Sequence, residues 1–257
     1  MKTPKISVLM TIYNHDKYLK SSIKSILQQS FKNWELIAID NGSTDNSKNI
    51  LKGFQDRRIK KKFLKKNIGR TRCLNHGLDL CRGDYIAIQD SDDISFNNRL
   101  EKQYKLLSNS KELFLVSSNC QMIDEKNKII EKKYMKYKIM NYRRLLFDNL
   151  IAHSTVMYKK NLIFKIGKYP KNFLYAQDYA FYLKVFKKFK IFISDESLLK
   201  ARTPHINSET FRVSKTTLII NEQLKLLLWS LNNLDPTIKE KIIIFSKYLK
   251  LKLKKII

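Results

Sequence analysis

Three carboxylates follow a short apolar run, all within four residues of one another. The run, Tyr85 to Ile88, predicts a buried strand, and it leads into Asp90, Asp92 and Asp93. Like charges this close repel and raise one another's pKa values, whereas a bound divalent cation reverses that cost. Asp90 and Asp92 project the same way in an extended segment, and hard oxygen ligands suit Mg²⁺ or Mn²⁺. The stretch indicates either a metal site or an ordinary acidic turn after a strand.

Two further apolar runs also end in polar residues. Residues 5–13 lead into Asn14, and residues 34–39 stop at Asp40. Helical periodicity separates the runs, and such alternation predicts parallel strands joined by right-handed crossovers, with helices on both faces of the sheet. Ligands of such sheets bind beyond the carboxyl ends of the strands. The three polar clusters are therefore expected at one sheet edge, where they are compatible with a nucleotide site.

The second half of the chain is less regular. Its patterns predict helices at 95–107, 143–150 and 178–189, an exposed excursion at 124–137, and strands at 113–117, 154–158, 191–193 and 198–202. From Ser214 the pattern changes to two helical segments separated by Pro236, because proline cannot continue a helix. We therefore expect an α/β fold with a mostly parallel sheet flanked by helices in residues 1–213, and a helical, lysine-rich C-terminal extension in residues 214–257.

Glycine-dependent phosphate loops are absent from the sequence. The chain has six glycines and contains neither GxGxxG nor GxxxxGK[ST]. This argues against a dehydrogenase and a P-loop nucleotidase, so a metal must carry the phosphate charge. A nucleotidyltransferase is an alternative, but residues 13–16, Tyr-Asn-His-Asp, suit its basic phosphate-gripping loop poorly.

Composition narrows the class of protein. The 257 residues are 43% hydrophobic, enough for one sizeable core with an appendage. The three cysteines, Cys73, Cys81 and Cys120, form no CxxC pair, which favours a reducing compartment over a disulfide framework or a zinc site. No signal-peptide core follows Met1, and no run reaches the ~18 apolar residues of a spanning helix. We expect a cytoplasmic protein, or one that is peripheral on the inner face of the cytoplasmic membrane.

The net charge of +28 is compatible with nucleic acid, anionic lipid or simple lysine-rich composition. Lysine is spread over the whole chain, and no zinc-finger or RNP pattern occurs. The sequence therefore favours lipid or an anionic substrate, and we do not expect nucleic-acid binding. A polyanion-binding or nucleic-acid-binding protein stays open as the alternative to an enzyme.

Four blocks, taken in order, resemble the successive motifs of family 2 glycosyltransferases. They are SVLMTIYN at 7–14, IDNGSTD at 39–45, NIG through LNHGL at 67–78, and DSDD at 90–93. Weaker matches follow as IAHSTVM at 151–157, QDY at 177–179 and RTPH at 202–205. The set of four is much more specific than any one block. The resemblance implies a GT-A fold, with a Rossmann-like sheet, and sugar transfer from a nucleotide donor.

The resemblance also implies a role for each matching polar residue. Those that would line the nucleotide are Thr11, Tyr13, Asn14, Asp40, Asp45 and Asp90. Asp90 and Asp92 would bind the metal, and Asp93 would face the donor sugar. Asp178 would be the general base, preceded by Gln177 at a position near the acceptor where the family often has Glu. Those that would approach the diphosphate or close over it are His153, Arg202 and His205.

The implied reaction is a single displacement. Mn²⁺ or Mg²⁺ would stabilise the leaving diphosphate and one carboxylate would deprotonate the acceptor hydroxyl, so we expect inversion at the anomeric carbon. We expect a UDP-sugar donor and a glycan or lipid-linked acceptor. Two assignments have structural alternatives, because Asp178 can be an ordinary helix cap and His153 beside an apolar run can be a structural histidine.

The C-terminal residues 239–257 contain seven lysines and one glutamate among bulky apolar residues. One interpretation is an amphipathic helix at an anionic membrane surface, where each basic residue adds ~1 kcal/mol of attraction. The other is a solvated helix packed on the catalytic domain or on another subunit.

Overall fold

The computed structural model of the protein describes residues 3–133, 142–202 and 217–256. Within these residues, nine strands form one sheet in the order β3-β2-β1-β4-β8-β6-β9-β5, and β7 pairs with β6. The strands are β1 Ile6–Ile12, β2 Trp34–Asp40, β3 Ile59–Phe63, β4 Tyr85–Ile88, β5 Ile94–Ser95, β6 Leu113–Ile123, β7 Ile129–Lys133, β8 Met157–Lys159 and β9 Lys190–Arg202. The helices are α1 Asp16–Leu27, α2 Ser47–Gly53, α3 Arg70–Leu80, α4 Arg99–Ser108, α5 Ile163–Ile166, α6 Gln177–Lys188, α7 Thr217–Asn233 and α8 Ile238–Ile256.

The first half confirms the predicted parallel sheet. β1 pairs in parallel with β2 and β4, and β2 pairs in parallel with the edge strand β3. β1 and β2 are buried almost throughout, as expected of strands covered on both faces. Their carboxyl ends, and that of β4, therefore meet at one edge.

The second half is mixed rather than parallel, because β8 runs antiparallel to both β4 and β6. The predicted excursion contains β7, which returns as a hairpin on β6. The two short strands predicted at 191–193 and 198–202 are one strand, β9, whose pairing with β6 shifts register at two neighbouring places near Asn119. The irregularity interrupts the apolar pattern without ending the strand.

Two helix predictions and one strand prediction need correction, and three predicted helices are confirmed. The helix predicted from Ser95 begins at Arg99, because Ser95 belongs to the short strand β5. The helix predicted at 143–150 is a 3₁₀ turn, Tyr142–Leu146, and the strand predicted at 154–158 begins with another 3₁₀ turn, His153–Thr155. α6 confirms the amphipathic helix, and α7 and α8 confirm the two helices on either side of Pro236.

Three apolar clusters form the core. Two cover the opposite faces of the sheet. The third joins α6 to the C-terminal helices through side chains that include Leu183, Leu227 and Ile244. In the part of the chain that the structure describes, every helix is too short or too polar to cross a membrane.

Candidate active site

A cavity of about 760 Å³ opens at the carboxyl ends of β1, β2 and β4. The predicted site residues that line it are Thr11, Tyr13, Asp90, Asp92, His153, Gln177 and Asp178. A second cavity of about 400 Å³, lined by Lys5 and Tyr85 among others, contains none of the predicted residues. The larger cavity therefore gathers predicted site residues from segments that are up to 167 positions apart (11 to 178).

The loop after β2 is held in place by two asparagines. Asn41 Nδ2 donates to Asn67 Oδ1 at 3.0 Å, and the Ile68 amide donates to Asn41 Oδ1 at 3.0 Å. Gly42 has φ +74, and a Cβ there would lie 2.5 Å from the Lys66 carbonyl carbon, so only glycine fits this turn. Asn41 and Asn67 both line the cavity, although the sequence did not single out Asn41.

Asp40 is buried at the end of β2, with 1% of its surface exposed. Its Oδ1 has no hydrogen-bond partner among the described residues. A buried acceptor without a donor is costly. Asp40 is not among the residues that line the cavity, so its contact with a nucleotide stays a prediction.

Asn14 and Asp45 bind the neighbouring loops rather than line the cavity. Asn14 has φ +55, and its Oδ1 accepts the Thr44 amide at 2.9 Å. Asp45 accepts the amides of Asp16 and Ser47, each at 2.9 Å. Burial opposes the charge of Asp45, but these bonds lower its pKa overall. Contact of Asn14 or Asp45 with a nucleotide stays a prediction.

Asp90 lies between two basic groups in the cavity. Its Oδ1 is 2.5 Å from Arg70 Nη2 and 3.8 Å from His153 Nδ1. Burial opposes the charge, but the Arg70 guanidinium and His153 together lower the Asp90 pKa. His153 also lies 3.1 Å from Tyr169 Oη through Nε2, and the Asp90 amide donates to Ser154 Oγ at 2.9 Å. Arg70, which the sequence motifs did not mark, is thus a cation of the site.

Asp92 and Asp93 face different surroundings. Asp92 lines the cavity, whereas Asp93 is buried and its Oδ1 accepts the Arg202 amide at 2.8 Å. Burial, and then the neighbouring Asp92 and Asp90, raise the Asp93 pKa well above its usual range. Arg202 Nε donates to the Asp92 carbonyl at 3.0 Å, so β9 fastens this loop. The predicted contact of Asp93 with the sugar stays a prediction, and His205 lies outside the described residues.

Arg99 holds the residues that directly precede Asp90, at the end of β4. It is fully buried, and its guanidinium donates to the Ile88 carbonyl at 2.7 Å, to Gln89 Oε1 at 3.0 Å and to Ser95 Oγ at 2.9 Å. Burial lowers the Arg99 pKa to about 10, while Asp93 and Asp90 oppose that shift. One sequence signal existed, because a cation at the first position of a helix opposes the helix dipole and needs a reason.

Asp178 lies in the first turn of α6 and faces the same cavity as Asp90 and Asp92. Its Oδ1 accepts its neighbour Tyr179's amide at 2.7 Å, and its Oδ2 accepts Asn149 Nδ2 at 3.3 Å. The carboxylate is half-buried, so it contacts both the protein and the cavity.

The segment that leads into α6 is clamped by a residue from the C-terminal helices. Glu222 of α7 is buried, and its carboxylate accepts the amides of Leu174, Tyr175 and Ala176 at 2.6, 3.0 and 2.9 Å. Gln177, with its amide oriented to satisfy both partners, donates to two carbonyls of the same segment at 3.0 Å. Ile219 and Gln223 of α7 also line the cavity. No local sequence pattern indicates Glu222, because its partners lie 46 to 48 positions away.

Oxygen donors at the cavity fit a hard divalent cation. Asp90 and Asp92 present two carboxylates, and the described residues contain no group of three or more His, Cys, Asp or Glu side chains placed to hold an ion alone. Mg²⁺ and Mn²⁺ accept such incomplete sites, since waters and substrate phosphates supply the remaining ligands.

Comparison with curated proteins identifies relatives that cover most of the chain. An uncharacterized glycosyltransferase of Methanocaldococcus jannaschii is 35% identical over 232 residues, which are 88% of this chain and 80% of the relative. The O-antigen biosynthesis glycosyltransferase WbnJ of Escherichia coli is 36% identical over 184 residues, 70% of this chain and 71% of WbnJ.

Solved structures share the fold at low sequence identity. S. aureus TarS residues 1–349, in complex with UDP-GlcNAc, superposes with a TM-score of 0.74 at 20% identity, covering 96% of this chain and 72% of that one. The mannosyltransferase PcManGT from Pyrobaculum calidifontis, in complex with GDP-Man and Mn²⁺, gives a TM-score of 0.63 at 12% identity, covering 99% and 84%. These likenesses confirm the GT-A fold.

The model of glycosyl transferase family 2 matches residues 7–166, which include Asp90, Asp92 and His153 but end before Asp178. Family, relatives and fold agree with one another and with the order of the sequence blocks. The chain therefore belongs to glycosyl transferase family 2, and it is a glycosyltransferase with the GT-A fold.

Proposed function

We propose that the protein transfers a hexosyl or N-acetylhexosaminyl group from a UDP-sugar to a hydroxyl of a glycan or lipid-linked acceptor, with inversion at the anomeric carbon. One observation carries the proposal: Asp178 and the pair Asp90 and Asp92 line one cavity. A transferase needs a site for the leaving diphosphate and a base for the acceptor within reach of the same sugar.

The strand-end side of the cavity would bind the donor. Asp90 and Asp92 would hold Mn²⁺ or Mg²⁺, which when bound offsets the charge of the diphosphate. Arg70 and His153 lie beside Asp90 and can approach phosphate oxygens. Asp40 would accept the N–H of a base such as uracil through Oδ1, which has no hydrogen-bond partner among the described residues.

The opposite side would activate the acceptor. Asp178 takes the proton from the acceptor hydroxyl, whose oxygen forms a bond to the anomeric carbon. The bond between that carbon and the diphosphate oxygen breaks at the same time, and its electron pair leaves with UDP. One carboxylate acting as base, with no covalent intermediate, gives inversion.

The relatives support the donor and the pathway class. TarS has been solved with UDP-GlcNAc and with UDP, whereas PcManGT has been solved with GDP-Man and Mn²⁺. WbnJ is named for O-antigen biosynthesis. We infer a role in cell-surface polysaccharide or lipooligosaccharide synthesis, at the inner face of the cytoplasmic membrane.

Thermal denaturation with nucleotide sugars tests the donor site. UDP-sugars with Mn²⁺ or Mg²⁺ should raise the melting temperature, and UDP alone should give much of the shift, because a ligand selective for the folded state stabilises it. GDP-mannose with Mn²⁺ is the matched control for the base. Equal shifts with every nucleotide, or UDP-sugar shifts that persist in EDTA, would contradict the proposal.

A further inference from the structure

The last helix, α8, has two apolar faces, and the described residues cover only one of them. Ile244 is fully buried, and Tyr248 and Leu251 pack beside it in the cluster shared with α6 and α7. The other face carries five large apolar side chains that are 46 to 79% exposed. These residues, called here the α8 stripe, are Ile238, Ile242, Phe245, Leu249 and Leu253.

The spacing of the α8 stripe places it on a single side of the helix. Its members follow one another at intervals of four, three, four and four residues. Positions three or four apart lie above one another on an α-helix, so the stripe is continuous over its length. Scattered exposed apolar residues are ordinary on a protein surface, but a continuous row marks a contact surface.

Lysines border the α8 stripe on both sides. With about 3.6 residues per turn, Lys241 and Lys252 fall on one side of the row, and Lys239 and Lys250 fall on the other. All four side chains are exposed. An apolar row between two rows of cations is the pattern of a helix that lies in the plane of an anionic lipid surface.

Contacts on the covered face fix the orientation of α8. Arg143 Nε donates to Glu240 Oε1 at 2.7 Å, and Lys247 pairs with Asp148. Thr237 and Glu240 form reciprocal bonds at the start of the helix, which is a capping box. The α8 stripe therefore cannot turn inward without breaking these contacts.

We propose that the α8 stripe docks onto an anionic lipid bilayer, with the apolar side chains in the interface and the four bordering lysines at the headgroups. This deepens the proposed function and rests on it for its purpose, because α8 packs on α7, and α7 lines the cavity through Ile219 and Gln223. Docking would hold the site beside a lipid-linked acceptor.

Charge favours lipid over a second copy of the chain. A two-fold interface brings the same patch of both subunits together, so it would place both sets of bordering lysines against each other. Anionic headgroups instead complement them, and each basic residue near such a surface adds attraction.

Vesicle flotation of the full chain tests the docking. The protein should float with vesicles of phosphatidylcholine and phosphatidylglycerol, and much less with phosphatidylcholine alone. Replacing Ile242, Phe245 and Leu249 by Ser should weaken the partition coefficient on the order of 100-fold. Replacing Lys239, Lys241, Lys250 and Lys252 by Gln should weaken it by a similar factor, and salt should weaken binding of the unaltered protein.

Matched variants elsewhere on the surface distinguish vesicle binding through the α8 stripe from nonspecific binding through other exposed apolar or basic residues. Leu80, Ile130 and Phe164 are also exposed apolar residues, and changing all three to Ser should leave flotation unchanged. The charge control replaces four exposed lysines outside α8, Lys20, Lys24, Lys60 and Lys62, by Gln. Docking through the α8 stripe is overturned if either control loses as much binding as its counterpart, or if the unaltered protein does not float.

Two further readouts keep the proposals distinct. Sedimentation without lipid detects self-association, and a dimer that the Ser substitutions abolish, without any flotation, would assign the α8 stripe to a second copy and overturn docking. The UDP-sugar melting shift should be the same in the Ser variant, because the stripe is outside the cavity. Flotation of a protein whose melting temperature does not change with UDP-sugars would contradict the proposed donor and leave the docking proposal supported.

Discussion

The two walls of the cavity are built in different ways. The donor wall consists of strand ends, with Thr11 near the end of β1 and Asp90 and Asp92 beyond β4, inside a parallel set of strands held by backbone hydrogen bonds. The wall that carries Asp178 is the first turn of α6 together with the irregular segment before it, and both are held by side chains from distant parts of the chain. The position of the donor wall therefore cannot be changed without disturbing the sheet, whereas the position of the Asp178 wall depends on a few side-chain contacts that single substitutions can remove.

Removal of the Arg99 guanidinium should have the largest effect on stability, because it breaks the donor wall from within. Arg99→Met removes the buried guanidinium donor of the Ile88 carbonyl and leaves Gln89 Oε1 with Ser95 Oγ as its donor. We expect the free energy of unfolding to fall by about 3 kcal/mol or more. Urea unfolding measures it. Arg58→Met, at a partly exposed arginine, is the control, and an equal loss in both variants would contradict a special role for Arg99.

Glu222→Ala should affect the Asp178 wall more than the fold. Three buried or partly buried amides lose their acceptor, and we expect a stability loss of ~2 kcal/mol and a fall in donor turnover on the order of 100-fold as the segment before α6 moves. UDP binding should stay within about twofold, because the donor wall is untouched. Glu222→Gln should recover part of the turnover. An Ala variant with normal turnover would show that the clamp does not position Asp178.

Arg70→Ala probes the donor wall without disturbing its backbone. The Arg70–Asp90 pair is partly exposed, so the stability change should stay within ~1 kcal/mol. Loss of a cation beside the diphosphate should weaken UDP binding about tenfold. Calorimetric titration of UDP with Mn²⁺ measures this, and Arg70→Lys should fall between the two. Tighter binding in the Ala variant would instead mean that Arg70 competes with the metal for Asp90.

The smallest effect is expected at the contact that fastens α8. This contact is the hydrogen-bonded ion pair between Arg143 and Glu240. The bond from Arg143 lowers the Glu240 pKa to about 2, although burial opposes this shift. A carboxylate whose pKa is lowered by folding stabilises the fold at pH values above its unfolded pKa of about 4.3. That contribution is lost as the pH falls towards about 2. Glu240→Gln should therefore cost ~1 kcal/mol at pH 7, and the difference should shrink steadily below pH ~4. A difference that does not vary between these pH values would contradict the ion pair as its cause.

The contrast between the walls also explains what the sequence could predict. Asp40, Asp90 and Asp92 were predicted to lie at the carboxyl ends of strands because each follows an apolar run, and local pattern determines where a strand ends. Asp178 was found only through the order of the family motifs, since its helix pattern alone is that of an ordinary capped helix. Glu222 was missed because packing brings it to partners 46 to 48 positions away, which no local spacing encodes. Arg99 was missed because the helix was predicted to begin at Ser95, so a cation at the true first position of α4 did not stand out. The orientation of Asp93 towards Arg202 likewise depends on β9, more than a hundred positions away.

The most direct test of the account compares Asp92→Asn with Asp178→Asn in two assays, UDP-sugar binding with Mn²⁺ and UDP release in the presence of an acceptor extract. Asp92→Asn should lose both activities. Asp178→Asn should bind the donor as the unaltered protein does, while UDP release falls about 10³-fold, within the range that a general base contributes. Undiminished UDP release by Asp178→Asn would contradict the assignment of Asp178 as the base. It would also contradict the division of the cavity into a donor wall and an Asp178 wall that activates the acceptor.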